Sequence, residues 1–99
     1  MLGNGPLPQD FKERAYLAAN EFALYKEDAL KYLQWCKANG YEVLGYEIWF
    51  PTNPGPAPLL AGGNGDADTC YNFILNDDFA EEEKKRGLNI VFNICVDAD

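Results

Sequence analysis

Lys26 to Phe50 reads KEDALKYLQWCKANGYEVLGYEIWF, and its two halves have different periods. In the first half Ala29, Leu30, Leu33 and Cys36 fall at helical spacing and make one apolar stripe, which predicts a helix over Lys26 to Asn39. Glu27 and Asp28 stand in its first turn and Lys37 in its last, so the charges suit the helix dipole, and Gly40 lies where a left-handed cap belongs. The second half, Tyr41 to Phe50, is rich in aromatic and β-branched residues at period two and predicts a strand. Strict alternation puts Leu44, Tyr46, Ile48 and Phe50 on an apolar inward face. It leaves Val43, Gly45, Glu47 and Trp49 on the other, where a carboxylate and an indole two residues apart suggest contact with solvent or a partner. A glycine-capped helix running directly into an alternating strand predicts an α+β domain.

Working outward, Gly3, Gly5, Pro6 and Pro8 punctuate residues 1 to 9, which read as a loose leader. Asp10 to Ala19 predicts a short helix or part of one, and Glu21 to Leu24 a brief extended piece. On the other side, Pro51 to Asp68 contains four prolines and four glycines and reads as a loop of 18 residues, longer than compact domains usually keep without a use. Thr69 to Leu75 (TCYNFIL) predicts a second strand that pairs with the first across this loop. Asn76 or Asp77 would cap a helix entered through the acidic run Asp78 to Glu83. Beyond Gly87 two readings compete. Leu88, Ile90, Phe92, Ile94 and Val96 alternate as in a strand, whereas Glu82, Arg86, Asn89, Asn93 and Asp97 form a polar stripe as on a continuing helix. The helix is preferred, with a strand after Gly87 as the alternative. The expected architecture is one domain over residues 1 to 99, with two or three helices packed on a small β-sheet.

The composition, 47% hydrophobic and 14% aromatic, fills a single core without metal or disulfide staples. Residues 1 to 9 lack the basic start and long apolar stretch of a signal peptide, and no apolar run reaches the roughly 18 residues a membrane helix requires, so the expectation is a cytosolic protein with no membrane partner. Cys36, Cys70 and Cys95 are odd in number and lack CxxC spacing, which fits reduced, buried thiols.

Charge is unevenly distributed. The chain carries 16 acidic and 8 basic residues, with −2 over residues 1 to 50 and −6 over 51 to 99. Asp66, Asp68, Asp77, Asp78, Glu81, Glu82 and Glu83 follow Pro51 with no Lys or Arg among them. Such a surface repels phosphate and attracts cationic protein, arguing against nucleic acid and for a basic protein partner.

The chain has no histidine, which removes every mechanism that needs an imidazole base or ligand. A redox role for Cys70 or Cys95 would need an electropositive setting, and both lie near aspartates. Glu47 beside Trp49 is the best placed carboxylate for glycoside chemistry, but a domain of this size offers little room for a saccharide cleft. Asp66 and Asp68 have the alternate spacing of calcium ligands, yet Cys70 follows at the third ligand position and Asp77 replaces the bidentate Glu. Gly62, Gly63 and Gly65 precede no Gly-Lys-Ser/Thr and do not make a phosphate loop. Lys84-Lys85-Arg86 follows three glutamates and reads as local ion pairing along a helix. No catalytic residue, metal or cofactor is therefore expected. Trp35 reads as packing at the core edge. Glu47 and Trp49, framed by Asp66 and Asp68 and extended by Asp77 and Asp78, combine an aromatic anchor with charges complementary to Lys and Arg.

Lys26-Glu27-Asp28-Ala29-Leu30 with Leu33, then Gly40, then Val43-Leu44-Gly45 before Glu47 and Trp49, resembles the immunity protein 40 family of bacterial polymorphic toxin systems. The likeness is strongest over residues 26 to 50; that family usually has glycine and aspartate where this chain has Tyr46 and Glu47. The resemblance implies a small cytosolic α+β protein that binds and neutralises a toxin domain, and it supplies no catalytic residues. The competing expectation is a non-enzymatic adaptor or regulatory domain that uses the same acidic surface.

Overall fold

The structure is a computed structural model and describes residues 6–18, 21–51, 59–76, 79–87 and 89–97. Helix α1 (Gln9–Arg14) leads into strand β1 (Tyr16–Ala18), which pairs antiparallel with β2 (Glu21–Ala23). The expected first helix thus ends at Arg14 and the chain turns extended at Ala15. Of the predicted leader, residues 1–5 lie outside the described residues. Pro6, by contrast, is anchored: its carbonyl accepts the Tyr32 hydroxyl at 2.9 Å, and Leu7 packs on the core.

Helix α2 (Lys26–Ala38) is the predicted one, with Gly40 in the left-handed region at φ 75° just beyond it. Ala29, Tyr32, Leu33 and Cys36 are its buried face. Asp28 is also buried, and both its oxygens accept from the Arg14 guanidinium, at 2.7 and 3.1 Å, which ties α1 to α2. Phe11, Tyr32, Trp35 and Tyr41 form a row of ring contacts along α2, with centroids 5.4–5.8 Å apart, so Trp35 packs at the core edge as expected.

Strand β3 (Glu42–Trp49) is central to a three-stranded antiparallel sheet of order β4-β3-β5, where β4 is Leu59–Asn64 and β5 is Val91–Asp97. Two corrections to the sequence reading follow. Part of the expected loop at 51–68 is a strand, since residues 59–64 pair with β3; residues 52–58 lie outside the described residues. The C-terminal segment is the strand alternative, not the preferred helix. Gly87, at φ 67°, ends helix α4 (Ala80–Arg86), and Val91, Phe92, Asn93 and Ile94 are all buried. A helix would expose one side; this strand is covered on both faces, which is why Asn93 is buried despite belonging to a polar stripe at helical spacing. Its Nδ2 donates to the Phe22 carbonyl at 2.9 Å and binds β5 to β2. Leu24 and Phe92 exchange backbone hydrogen bonds of 2.8 and 2.7 Å alongside it.

The inward face of β3 is shifted by a bulge. Val43 pairs with Val96 and Gly45 with Cys95, so Leu44 is the extra residue. Val43 therefore joins Tyr46, Ile48 and Phe50 in the main core while Leu44 is only half-buried, which corrects the strict alternation. Phe92, Ile94 and Val96 complete the inner face under α2. On the other face Trp49, Val91 and Ala23 form a small second cluster with Tyr16 against it.

The largest correction concerns residues 67–76, which form helix α3 (Ala67–Asn76) where a second strand was predicted. Asp66 Oδ1 accepts the Thr69 amide at 2.9 Å, an N-terminal cap, and the Asp66 carbonyl accepts the Cys70 amide at 3.0 Å to start the helix. Buried Cys70 and Ile74, with half-buried Ala67 and Tyr71, then make a stripe against α2 and β3. The β propensity of TCYNFIL loses to this cap and to the fact that β3 already pairs with β4 and β5. The result is four helices and two small antiparallel sheets among the described residues, an α+β domain.

Candidate functional site

Glu47 lies at the middle of β3 on the face away from α2, opposite Gly62 of β4 and Asn93 of β5. It is half-buried, and the Trp49 indole Nε1 donates to its Oε1 at 3.3 Å. The predicted pair is thus on one face and in contact. Trp49, however, is only 7% exposed, packed with Ala23 and Val91, so the indole braces the carboxylate from within and does not protrude as an anchor. Gly45, Gly62, Gly63, Asn64, Leu44, Tyr46 and Cys95 line a concavity of about 390 Å³ around Glu47.

Glycine makes that concavity. A Cβ at Gly45 would stand 2.4 Å from the Gly63 carbonyl oxygen, and one at Gly62 3.0 Å from the Tyr46 oxygen and 3.6 Å from Glu47 Cγ. The β3–β4 crossing is therefore too close for side chains, and the sheet surface next to Glu47 is bare backbone. In the sequence Gly62 and Gly63 resemble loop punctuation; what marks them as strand residues is their place opposite Glu47 and Tyr46, which only the pairing reveals.

Asp66 and Asp68 sit at the start of α3, on a second depression of about 320 Å³ lined by Lys37, Gly40, Tyr41, Glu42, Val43, Asp66, Ala67 and Asp68. Both are exposed and both serve the fold. The Thr69 amide bonded to Asp66 holds its carboxyl below the usual carboxylate range. Asp68 takes the Lys37 ammonium at 2.8 and 2.9 Å, which raises the lysine above its ordinary value. Glu42 was not predicted, and neither was Asp97, its partner in the β3–β5 register. Cross-strand register has no local signal, so neither residue could have been found from spacing.

Glu47 and the Asp66/Asp68 pair therefore do not share one depression. They line separate ones, adjacent along β3, since Glu42 and Val43 border one and Leu44 and Gly45 the other, and Asp68 also borders a third of about 590 Å³ between α2 and α3. Asp77 and Asp78 lie outside the described residues.

Cys36 and Cys70 are buried free thiols and Cys95 a half-buried one. Burial pushes all three up, Cys70 to about 11, the opposite of what a nucleophile needs. Among the described residues no group of three or more Cys, Asp or Glu is placed to hold a metal, and no helix is long and apolar enough to cross a membrane. Comparison with known proteins finds no matching family model, no matching curated protein and no matching solved structure.

Proposed function

We propose that this chain is a non-enzymatic binding protein whose acidic surface takes up a basic protein, and that the partner is a toxin domain which it neutralises in the cytoplasm as an immunity protein. One observation carries the reading: Glu42, Asp66 and Asp68 surround one shallow depression in which Lys37 is the single cation among the described residues, and Glu47 faces the adjoining concavity. Carboxylates around shallow, open relief suit the Lys and Arg side chains of a protein surface better than a small substrate. With a formal charge of −8, the chain also attracts such a partner from a distance. The choice of a toxin comes from the sequence resemblance over residues 26 to 50. Against a nuclease, the carboxylates would stand where substrate phosphates bind.

The test is a complex with the product of the neighbouring gene, which the reading expects to carry a toxin domain. Co-expression is expected to restore growth, and the purified pair to associate with an affinity that falls steeply as salt rises. Glu42→Lys with Asp66→Asn, which keeps an acceptor for the α3 cap, is expected to weaken the complex about tenfold or more. Failure of co-expression to restore growth, or a complex indifferent to both salt and the double variant, rejects the reading.

A further inference from the structure

We infer that the outer edge of β4 is a docking edge for an extended cationic segment of the partner, which adds to the sheet as an antiparallel strand and places a Lys or Arg on Glu47. This deepens the proposed function and rests on it. Among the described residues no strand lies beyond β4. Gly65 donates to the Leu44 carbonyl at 3.0 Å, which sets the phase of the ladder. By antiparallel alternation Gly63 turns its hydrogen-bonding groups toward Tyr46, whereas Gly62 and Asn64 turn theirs away from β3. Both residues are exposed. The strand sequence LLAGGN has no charge and no proline, the usual devices that blunt an edge.

The chemistry of the occupant follows from what lies beside that edge. An added strand would run about 10 Å from β3, with β4 between them. A residue of that strand opposite Gly62 points its side chain over a position with no Cβ, toward Glu47, whose Cγ already lies 3.6 Å from where that Cβ would be. Gly62 thus leaves a channel across β4 for a long stem, and the carboxylate at its end selects a positive head. A second copy of this chain is disfavoured as the occupant, because each copy carries −8 and its own LLAGGN offers Glu47 no cation.

The probe is an eight-residue peptide of alternating Lys and Val, titrated into the full chain with amide exchange read by NMR. Saturable binding is expected, with new protection at the Gly62 and Asn64 amides. The residue opposite Gly62 both pairs with it and faces Glu47, so N-methylation of the Lys amides is expected to abolish binding while N-methylation of the Val amides spares it. Glu47→Gln is expected to weaken the peptide about tenfold. Protection confined to Glu42 and residues 66–70 would overturn the strand-edge inference and leave the acidic-surface reading standing. Absence of saturable binding, equal effects of the two N-methylated peptides, or protection of Gly62 and Asn64 that rises with protein concentration alone would also overturn it, the last assigning the edge to a second copy. The reading itself fails separately, by the growth and salt tests on the toxin complex.

Discussion

Gly45→Ala tests the closest backbone approach in the sheet. The added Cβ would lie 2.4 Å from the Gly63 carbonyl oxygen and 3.2 Å from Asn64 Cα. Ordinary contact begins near 3.4 Å, so β4 would have to retreat by about 1 Å, and the obstacle is ladder backbone that cannot rotate aside. Overpacking of this kind costs about 1–3 kcal/mol, and an immovable neighbour puts Gly45 at the upper end. Alanine returns about 0.4–1 kcal/mol by restricting the unfolded chain, which leaves a net loss of about 2 kcal/mol. Gly65→Ala is the control: its Cβ meets Thr69 Cγ2 at 2.8 Å and Thr69 Cβ at 3.0 Å, one exposed side chain at the start of α3 and no ladder backbone, so the net loss should be smaller, about 1 kcal/mol. Urea unfolding of the three proteins measures both differences, and amide exchange at Gly63 and Gly65 reports whether β4 has loosened from β3. If Gly45→Ala costs no more than Gly65→Ala, the close packing of β3 on β4 is not as described, and the bare concavity beside Glu47 loses its structural cause.

The helical state of residues 67–76 makes Ile74→Ala cost about 3 kcal/mol, since the side chain is fully buried, while Leu75→Ala, at 48% exposure, should cost under about 1 kcal/mol. Equal costs in urea unfolding would refute the assigned face of α3. Burial raises the Cys70 thiol from 9.0 to about 11, so its contribution to stability is fully present below pH 9 and lost as pH rises toward 11, where the unfolded chain ionises first. Stability should therefore fall more steeply over that range in the parent chain than in Cys70→Ala; parallel pH profiles would refute it.

Legibility varied with the range of the interactions involved. Helix α2 was readable because its stripe, terminal charges and cap all lie within Lys26 to Gly40. Residues 67–76 read as a strand because the apolar residues of TCYNFIL fit both periods. The Asp66 carboxylate that accepts the Thr69 amide favours the helix but reads in the sequence equally as a loop residue, and the decision comes from β3 being already paired on both sides. Gly62 and Gly63 read as loop residues for the same reason: glycine marks both a turn and a close strand crossing, and only the pairing with Glu47 and Tyr46 distinguishes the two. Of the candidate site, the Glu47–Trp49 contact was legible from period two alone. The burial of Trp49 was not, because Ala23 and Val91, which cover it, come from distant parts of the chain.

The amino-acid sequence by itself determined the α+β class, the α2–β3 unit at its centre, the inward set Tyr46, Ile48 and Phe50, and the excess of acid in the second half. Each of these depends on residues within about one helical turn or strand of each other, or on composition. Tertiary structure alone decided that β5 is a strand, that α3 is a helix, that Leu44 is bulged out of register and that Glu42 stands with Asp66 and Asp68 while Glu47 faces a separate concavity. In each case the local preference was weak or divided. The choice fell to whichever conformation paired the backbone of β3 on both sides and buried Ile74, Phe92 and Ile94 in one core.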